Sequence, residues 1–418
     1  MKTKITNGYI LSDTLRKGEL CIENDRIIFS GEHYEGSYDK LIDAHGGLVM
    51  PGFCNAHTHS AMTFLRSCAD DMPLDRWLNE QIFPREAKLT GDDIYHLSRL
   101  AVMEYLTSGI TSCFDMYFYP DDFVSAMTDC GFRAVLCGAV NDFSESVEKL
   151  EDYYNRFNGK DPLISYKLGF HAEYTTSENI LKDIAQLAEK YHAPVYAHSS
   201  ETASEVEGCI QRHGMTPTAY FESVGLYNYG GGGFHCVYMT DEDMEIYKNR
   251  GLFAVTNPSS NAKLASGIAP LCEMHERGIG IAVGTDGPAS NNALDMFREM
   301  YLAVVLQKLR TGDASAMPAA AVLEAALSGG ARAMGIDSGR LEAGRLADIV
   351  IIDLNMPNMQ PVNNIVNNLV YSGSKSNVAL TMVGGRVLYE RGQFFINDEP
   401  ERIYAKANEI IRRISSQV

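Results

Sequence analysis

Pro51-Gly-Phe-Cys-Asn-Ala-His57-Thr-His59 is the stretch from which the architecture of this chain can be read. An apolar run, Gly47-Leu-Val-Met-Pro51, leads into it, and two histidines separated by one residue close it. Side chains two apart on an extended strand point the same way. Both imidazoles therefore reach one point just beyond a strand end, as a shared metal requires. By itself His-x-His is a short string that also fits a surface pair. The rest of the chain has to supply the missing ligands.

Working outward, short apolar strands alternate with longer helical patterns. The strand candidates are Leu48–Pro51, Ile110–Asp115, Ala134–Val140, Ser165–His171, Val195–His198, Gly233–His235, Leu252–Thr256 and Ile281–Asp286, eight in all. Helices fall between them, the clearest from Gly91 to Ser108, started by Thr90-Gly-Asp-Asp93 and stopped by Gly109. Ile180–Tyr191 and Leu294–Arg310 are similar. Eight strand-then-helix units predict a (β/α)8 TIM barrel. An open doubly wound sheet that binds a nucleotide needs a glycine-rich fingerprint after its first strand, and Phe53-Cys-Asn-Ala-His-Thr-His is not one. The two ends of the chain read differently. Lys4–Leu11, Glu19–Glu23 and Arg26–Ser30 are strand-like before the barrel, as are Ala347–Leu354, Val378–Val383 and Arg386–Tyr389 after it, with Gly384-Gly385 as a hairpin. The expected division is residues 1–50 and 343–418 as one small discontinuous β-sandwich domain, with 51–342 as the barrel and Arg402–Ser415 as a final outer helix.

The bulk properties exclude several classes. Hydrophobic residues make up 45% of the 418 and charged residues 22%, the profile of a soluble globular protein. A formal net charge of −18 argues against nucleic acid or an anionic membrane as partner. Nine cysteines are scattered without a C-x-x-C pair, and neither an apolar leader nor a membrane-length run stands out. Reduced thiols and a cytoplasmic location are expected.

Working residues of such barrels stand at the C-terminal ends of strands. His57 and His59 stand at the end of the first strand, His171 at the fourth, His198 at the fifth, His235 at the sixth and Asp286 at the eighth. The remaining six histidines (33, 45, 96, 192, 213 and 275) lie in turns or helices and read as solvated or capping residues. Three histidines and one aspartate are nitrogen and oxygen ligands suited to zinc, with ferrous iron second. His198-Ser-Ser-Glu201 adds a carboxylate three residues past a proposed ligand, either a solvated helix-start glutamate or a general acid. His171-Ala-Glu173 matches half of the zinc nucleobase deaminase signature, but no P-C-x-x-C follows.

The motifs together resemble the amidohydrolase superfamily over nearly the whole chain. They are Pro51-Gly-Phe-Cys-Asn-Ala-His-Thr-His, His198-x-x-Glu201, Phe234-His-Cys, Asn257-Pro-Ser-Ser-Asn, Gly284-Thr-Asp-Gly-Pro-Ala-Ser-Asn-Asn and Ala343-Gly-Arg-Leu-Ala-Asp-Ile-Val. The match looks most like the 5′-methylthioadenosine/S-adenosylhomocysteine deaminase branch. That branch uses one metal, in keeping with the absence of a bridging lysine at the fourth strand end, since Lys167 sits too early. The resemblance implies His57, His59, His198 and Asp286 as ligands of one divalent ion, zinc first and iron second. It implies Asp286 as proton acceptor from water, His235 as the group orienting that water, and Glu201 as the acid for the ring nitrogen. Trp77, Glu86 and His171 are implied around a nucleoside substrate. The implied activity is hydrolytic deamination of methylthioadenosine, S-adenosylhomocysteine, 5′-deoxyadenosine or adenosine; guanine, a pterin or a triazine is the alternative ring. A small-molecule substrate and a homo-oligomer are the expected partners. Three departures stand out. Thr256 replaces a histidine, Glu173 introduces an acid expected to line the pocket, and no arginine follows the third strand to hold an amino-acid carboxylate.

Overall fold

The computed structural model describes residues 1–12, 14–72 and 76–417. Eight parallel strands follow one another in chain order around a barrel: Phe53–Thr58, Ile110–Asp115, Arg133–Cys137, Ile164–Ala172, Val195–Ser199, Gly231–His235, Phe253–Thr256 and Gly280–Val283. Cys54, Ala56, Phe114, Val135, Tyr196, Phe234, Val255 and Ala282 fill the interior as one buried cluster. Helices cover the outside. That from Gly91 to Thr107 begins in a capping box, in which the Asp93 N–H donates to Thr90 Oγ1 and the Thr90 N–H donates to Asp93 Oδ2. The final helix, Pro400–Ser415, buries Ile403, Ala407, Ile410 and Ile414 along one stripe, and its Arg413 pairs with Asp93.

A second sheet of nine strands draws on both chain ends. Lys2–Leu11, Leu15–Glu23, Arg26–Gly31, Lys40–Asp43 and Leu48–Pro51 come from before the barrel, and Ile349–Ile352, Val378–Val383, Arg386–Glu390 and Gln393–Phe394 from after it. Leu48–Pro51 corrects an expectation. It is a strand of this terminal sheet, parallel to Lys2–Leu11 and antiparallel to Ile349–Ile352, and the barrel starts only after Gly52. The physical reason lies in its two faces. Val49 joins Ile5, Ile22, Ile349 and Met382 in the terminal sheet's own core, whereas Leu48 and Met50 join the larger apolar cluster of the barrel. A strand buried on both sides shows an unbroken apolar run whichever sheet it pairs with. Gly52 is the joint between the sheets. A Cβ there would stand 2.1 Å from the Thr111 methyl, and its N–H donates to the Asp348 carbonyl at 3.0 Å.

The two sheets are also tied by a buried ion pair. Arg133, at the start of the third barrel strand, donates through Nε to Asp348 Oδ2 at 2.8 Å and through Nη1 to the Pro162 carbonyl at 2.7 Å. Asp348 is 1% exposed and also accepts from the Gly384 N–H at 2.8 Å. Removing one partner of such a pair leaves a buried, uncompensated charge. Arg133→Met is expected to lower the unfolding free energy by about 3–5 kcal/mol, read as an earlier urea midpoint. An Arg133→Met protein with the parental midpoint would show that the pair does not brace the two sheets.

Candidate active site

At the C-terminal mouth of the barrel the strands deliver five imidazoles and two carboxylates. Two irregularities help to aim them. The pairing of the first and second strands slips between Asn55 and Thr58, and that of the fourth and fifth slips between Tyr196 and His198. Such bulges turn a side chain that a regular strand would send elsewhere. The ring centroids of His57 and His59 lie 4.8 Å apart, those of His57 and His198 4.9 Å, and those of His198 and His235 5.5 Å. Asp286 Oδ1 stands 3.5 Å from His57 Nε2 and 3.3 Å from His59 Nε2. The donor atoms of His57, His59 and Asp286 lie within 4.8 Å of one another, as do those of His57, His198 and His235.

Three of the imidazoles are held through Nδ1. His59 Nδ1 donates to the Met116 carbonyl, His198 Nδ1 to the His171 carbonyl at 2.7 Å, and His235 Nδ1 to Asn261 Oδ1 at 2.8 Å. In the neutral ring that bond leaves Nε2 with a lone pair. His57 is the exception: it is fully buried, stacked on Phe234 at 3.9 Å, and neither ring nitrogen has a hydrogen-bond partner. Burial pushes its pKa down to about 3 and takes that of His198 well below the usual value, whereas at His59 the Asp286 carboxylate outweighs burial and raises it to about 9. Burial opposes the charge of Asp286 as well, but the imidazoles of His57 and His59 outweigh it and hold the carboxyl well below its usual range. Buried imidazole nitrogens, those of His57 without a protein partner, together with one carboxylate are donors of the kind that fits a divalent ion.

Serines and asparagines not singled out by sequence complete the frame. Asp286 Oδ2 accepts from Ser260 Oγ and Ser290 Oγ, both at 2.6 Å, and Oδ1 from the Gly287 N–H at 2.8 Å. Ser260 and Asn261 both belong to the Asn257-Pro-Ser-Ser-Asn261 motif, so one short helix, Pro258–Lys263, steadies both Asp286 and His235. That motif was the available signal, although nothing in it separates its polar residues by task.

Glu201 follows the fifth strand, with its carboxylate 3.9 Å from His235 Nε2 and an acceptor for Ser266 Oγ at 3.3 Å. The ring of His171 lies 4.9 Å from that of His198, and its Nδ1 is engaged by Thr175 Oγ1 at 2.9 Å. Glu86 is half-buried and accepts from the hydroxyl of Tyr117, whose ring centroid is 6.0 Å from that of His59. Burial raises the Glu86 pKa. Trp77 opens the helical turn Trp77–Ile82, its side chain 5% exposed within the main apolar cluster. Glu173 departs from expectation. Its buried carboxylate is taken up by Arg212 and by His213 Nε2 at 3.0 Å, so it braces the helix Ala203–His213 rather than presenting a free acid to the pocket. His213 is thereby a hydrogen-bond partner of a buried carboxylate, stacked on Tyr220 at 3.8 Å, and not simply a solvated residue.

Comparison with known proteins agrees with this geometry. The model of the amidohydrolase family matches residues 48–388. A 5′-deoxyadenosine deaminase of Methanothermobacter thermautotrophicus is 40% identical over 393 residues, 92% of each chain. A 5-methylthioadenosine/S-adenosylhomocysteine deaminase of Thermoanaerobacter pseudethanolicus is 39% identical over 407 residues, 94% of each chain. Among solved structures, an adenosine deaminase from Xanthomonas campestris with bound zinc superposes with a TM-score of 0.94 at 30% identity, covering 99% of this chain and 98% of the other. The family model covers most of the chain and the relatives match over nearly all of it, so the chain belongs to the amidohydrolase family.

Proposed function

We propose that this protein is a metal-dependent hydrolytic deaminase of adenine nucleosides, releasing ammonia and the inosine analogue. The substrate group is 5′-deoxyadenosine, methylthioadenosine, S-adenosylhomocysteine and adenosine, in line with the relatives. The observation that carries the proposal is the Glu201 carboxylate 3.9 Å from His235, beside two donor groups that share His57: His57, His198 and His235, and His57, His59 and Asp286. Expelling a poor leaving group from an aromatic ring needs both an activated water and a proton carrier at one point.

In this reading His57, His59, His198 and Asp286 hold the ion. Bound there, zinc, with ferrous iron as second choice, would supply a nucleophilic water near neutral pH by lowering its pKa toward ~7. Asp286, steadied by hydrogen bonds from Ser260, Ser290 and the Gly287 N–H, takes the proton of the attacking water. His235, its Nδ1 tied to Asn261, orients that water through Nε2. Glu201 protonates the ring nitrogen beside the exocyclic amine, which makes the adjoining carbon electrophilic. After water adds, a second proton transfer lets ammonia depart. Glu86 accepts from the ribose hydroxyls, His171 offers Nε2 to the purine or ribose, and Trp77 supports the wall of the nucleoside pocket. The division into 1–50, 51–342 and 343–418 is supported by the two separate sheets, with Leu48–Pro51 straddling the first boundary. A cytoplasmic homo-oligomer completes the proposal. All nine cysteines are free thiols, and among the described residues no helix is long and apolar enough to cross a membrane.

Three measurements test it. Incubation with the four nucleosides is expected to release ammonia, with the ultraviolet change from adenine to hypoxanthine; turnover of guanine or a pterin with every adenosine analogue inert would reject the substrate class. Glu201→Gln is expected to lower kcat by about 10²–10⁴ at unchanged metal content, and a parental rate would remove the acid assignment. Dialysis against a chelator is expected to abolish turnover and added zinc to restore it. Activity that persists in metal-depleted protein would contradict a metal-dependent site.

A further inference from the structure

Glu205 is an acid for which the mechanism above has no use. It stands in the first turn of the helix Ala203–His213 and is 7% exposed, with no cation at ion-pair distance among the described residues. Its two oxygens instead accept from successive backbone amides, Oε1 from Ser200 N–H at 2.9 Å and Oε2 from Glu201 N–H at 2.8 Å. An acid in the first turn commonly reaches back to the N-cap amide. Glu205 reaches further upstream, past the N-cap Thr202, to the two residues that carry the chain out of the fifth strand.

Those residues need holding. Ser200 is fully buried with φ +54°, a left-handed conformation that costs a non-glycine residue roughly 1 kcal/mol or more. Its carbonyl accepts from the N–H groups of Val237 and Tyr238 at 3.0 and 2.9 Å, just past His235. Ser200 thus joins the exit of the fifth strand to that of the sixth, and the separation of Glu201 from His235 depends on this joint. Burial, with the charge of Glu201 added, pushes the Glu205 pKa up to about 7. The fold therefore retains an ionisable side chain where its charge is disfavoured, in the place where it clamps two amides.

We propose that Glu205 is a positioning residue for deamination, fixing the Ser200–Glu201 backbone so that the Glu201 carboxylate meets the ring nitrogen. The proposal rests on the acid role of Glu201 given above. Glutamine at 205 keeps the shape but turns an NH2 toward one of the amides, and aspartate is one methylene too short to span both.

The experiment is a double-mutant cycle on the metal-loaded enzyme. Glu205→Gln is expected to lower kcat about 10–100-fold, the scale of a 1 Å misplacement, with KM within about threefold and metal content at the parental level. Glu205→Asp is expected to fall between parent and Glu205→Gln, and provides the same test should the glutamine protein not fold. In the Glu201→Gln background the second substitution should add no further loss, because its effect passes through the acid. A parental kcat for Glu205→Gln, a loss carried by KM or by metal content, or an equal fold loss in both backgrounds would overturn the proposal. If Glu201→Gln itself runs at the parental rate, the acid assignment falls and this proposal with it. A slow Glu201→Gln beside an unimpaired Glu205→Gln removes this proposal alone.

Discussion

The barrel closes through a backbone hydrogen bond from the Asp286 N–H to the His57 carbonyl at 2.9 Å, and the site depends on that closure. Residues 229 positions apart in the chain become neighbours there, with ligand candidates of the first strand facing the carboxylate of the eighth. A side-chain clasp repeats the bond one layer down, where Asn55 donates to Thr285 Oγ1 at 2.7 Å and accepts from the Thr285 N–H at 2.8 Å. The approach is too close for a side chain at Gly284, where a Cβ would stand 2.6 Å from the His57 nitrogen. Local spacing places His57 beside His59; only closure places Asp286 opposite both.

Strain accompanies this arrangement. Ser200, His235, Cys236 and Asp286, at the exits of the fifth, sixth and eighth strands, all have positive φ without being glycine. Each such residue costs on the order of 1–3 kcal/mol and persists only where its surroundings over-determine it. Here hydrogen bonds do so: Ser200 through Val237, Tyr238 and Glu205, and Asp286 through Ser260, Ser290 and Gly287. The side chains at the mouth are therefore oriented before any ligand arrives, as electrostatic catalysis requires.

How much of this could be read beforehand follows from the range of each signal. His57, His59, His171, His198, His235 and Asp286 were legible because each follows an apolar run whose end marks a strand end, and strand ends of a barrel share one mouth. The capping box at Thr90 was legible because it is complete within four residues. Leu48–Pro51 was assigned to the wrong sheet because burial on both faces leaves no alternation to read. Glu173 read as a pocket acid because its partners, Arg212 and His213, lie about forty residues on. Ser260, Ser290, Asn261 and Glu205 are common polar residues whose tasks emerge only once three separate loops are brought side by side.

The joint at Gly52 bears on biosynthesis. Leu48–Pro51 pairs with Ile349–Ile352, so the terminal sheet cannot be completed until the segment that follows the barrel has been made. Until then the early strands present open edges with their apolar cluster half built, the condition under which nascent chains associate wrongly. Eight strands, each pairing with its predecessor, are translated during that interval. The barrel thus separates in the chain the strands that the terminal sheet brings together, and its own strands are all translated before that sheet can close.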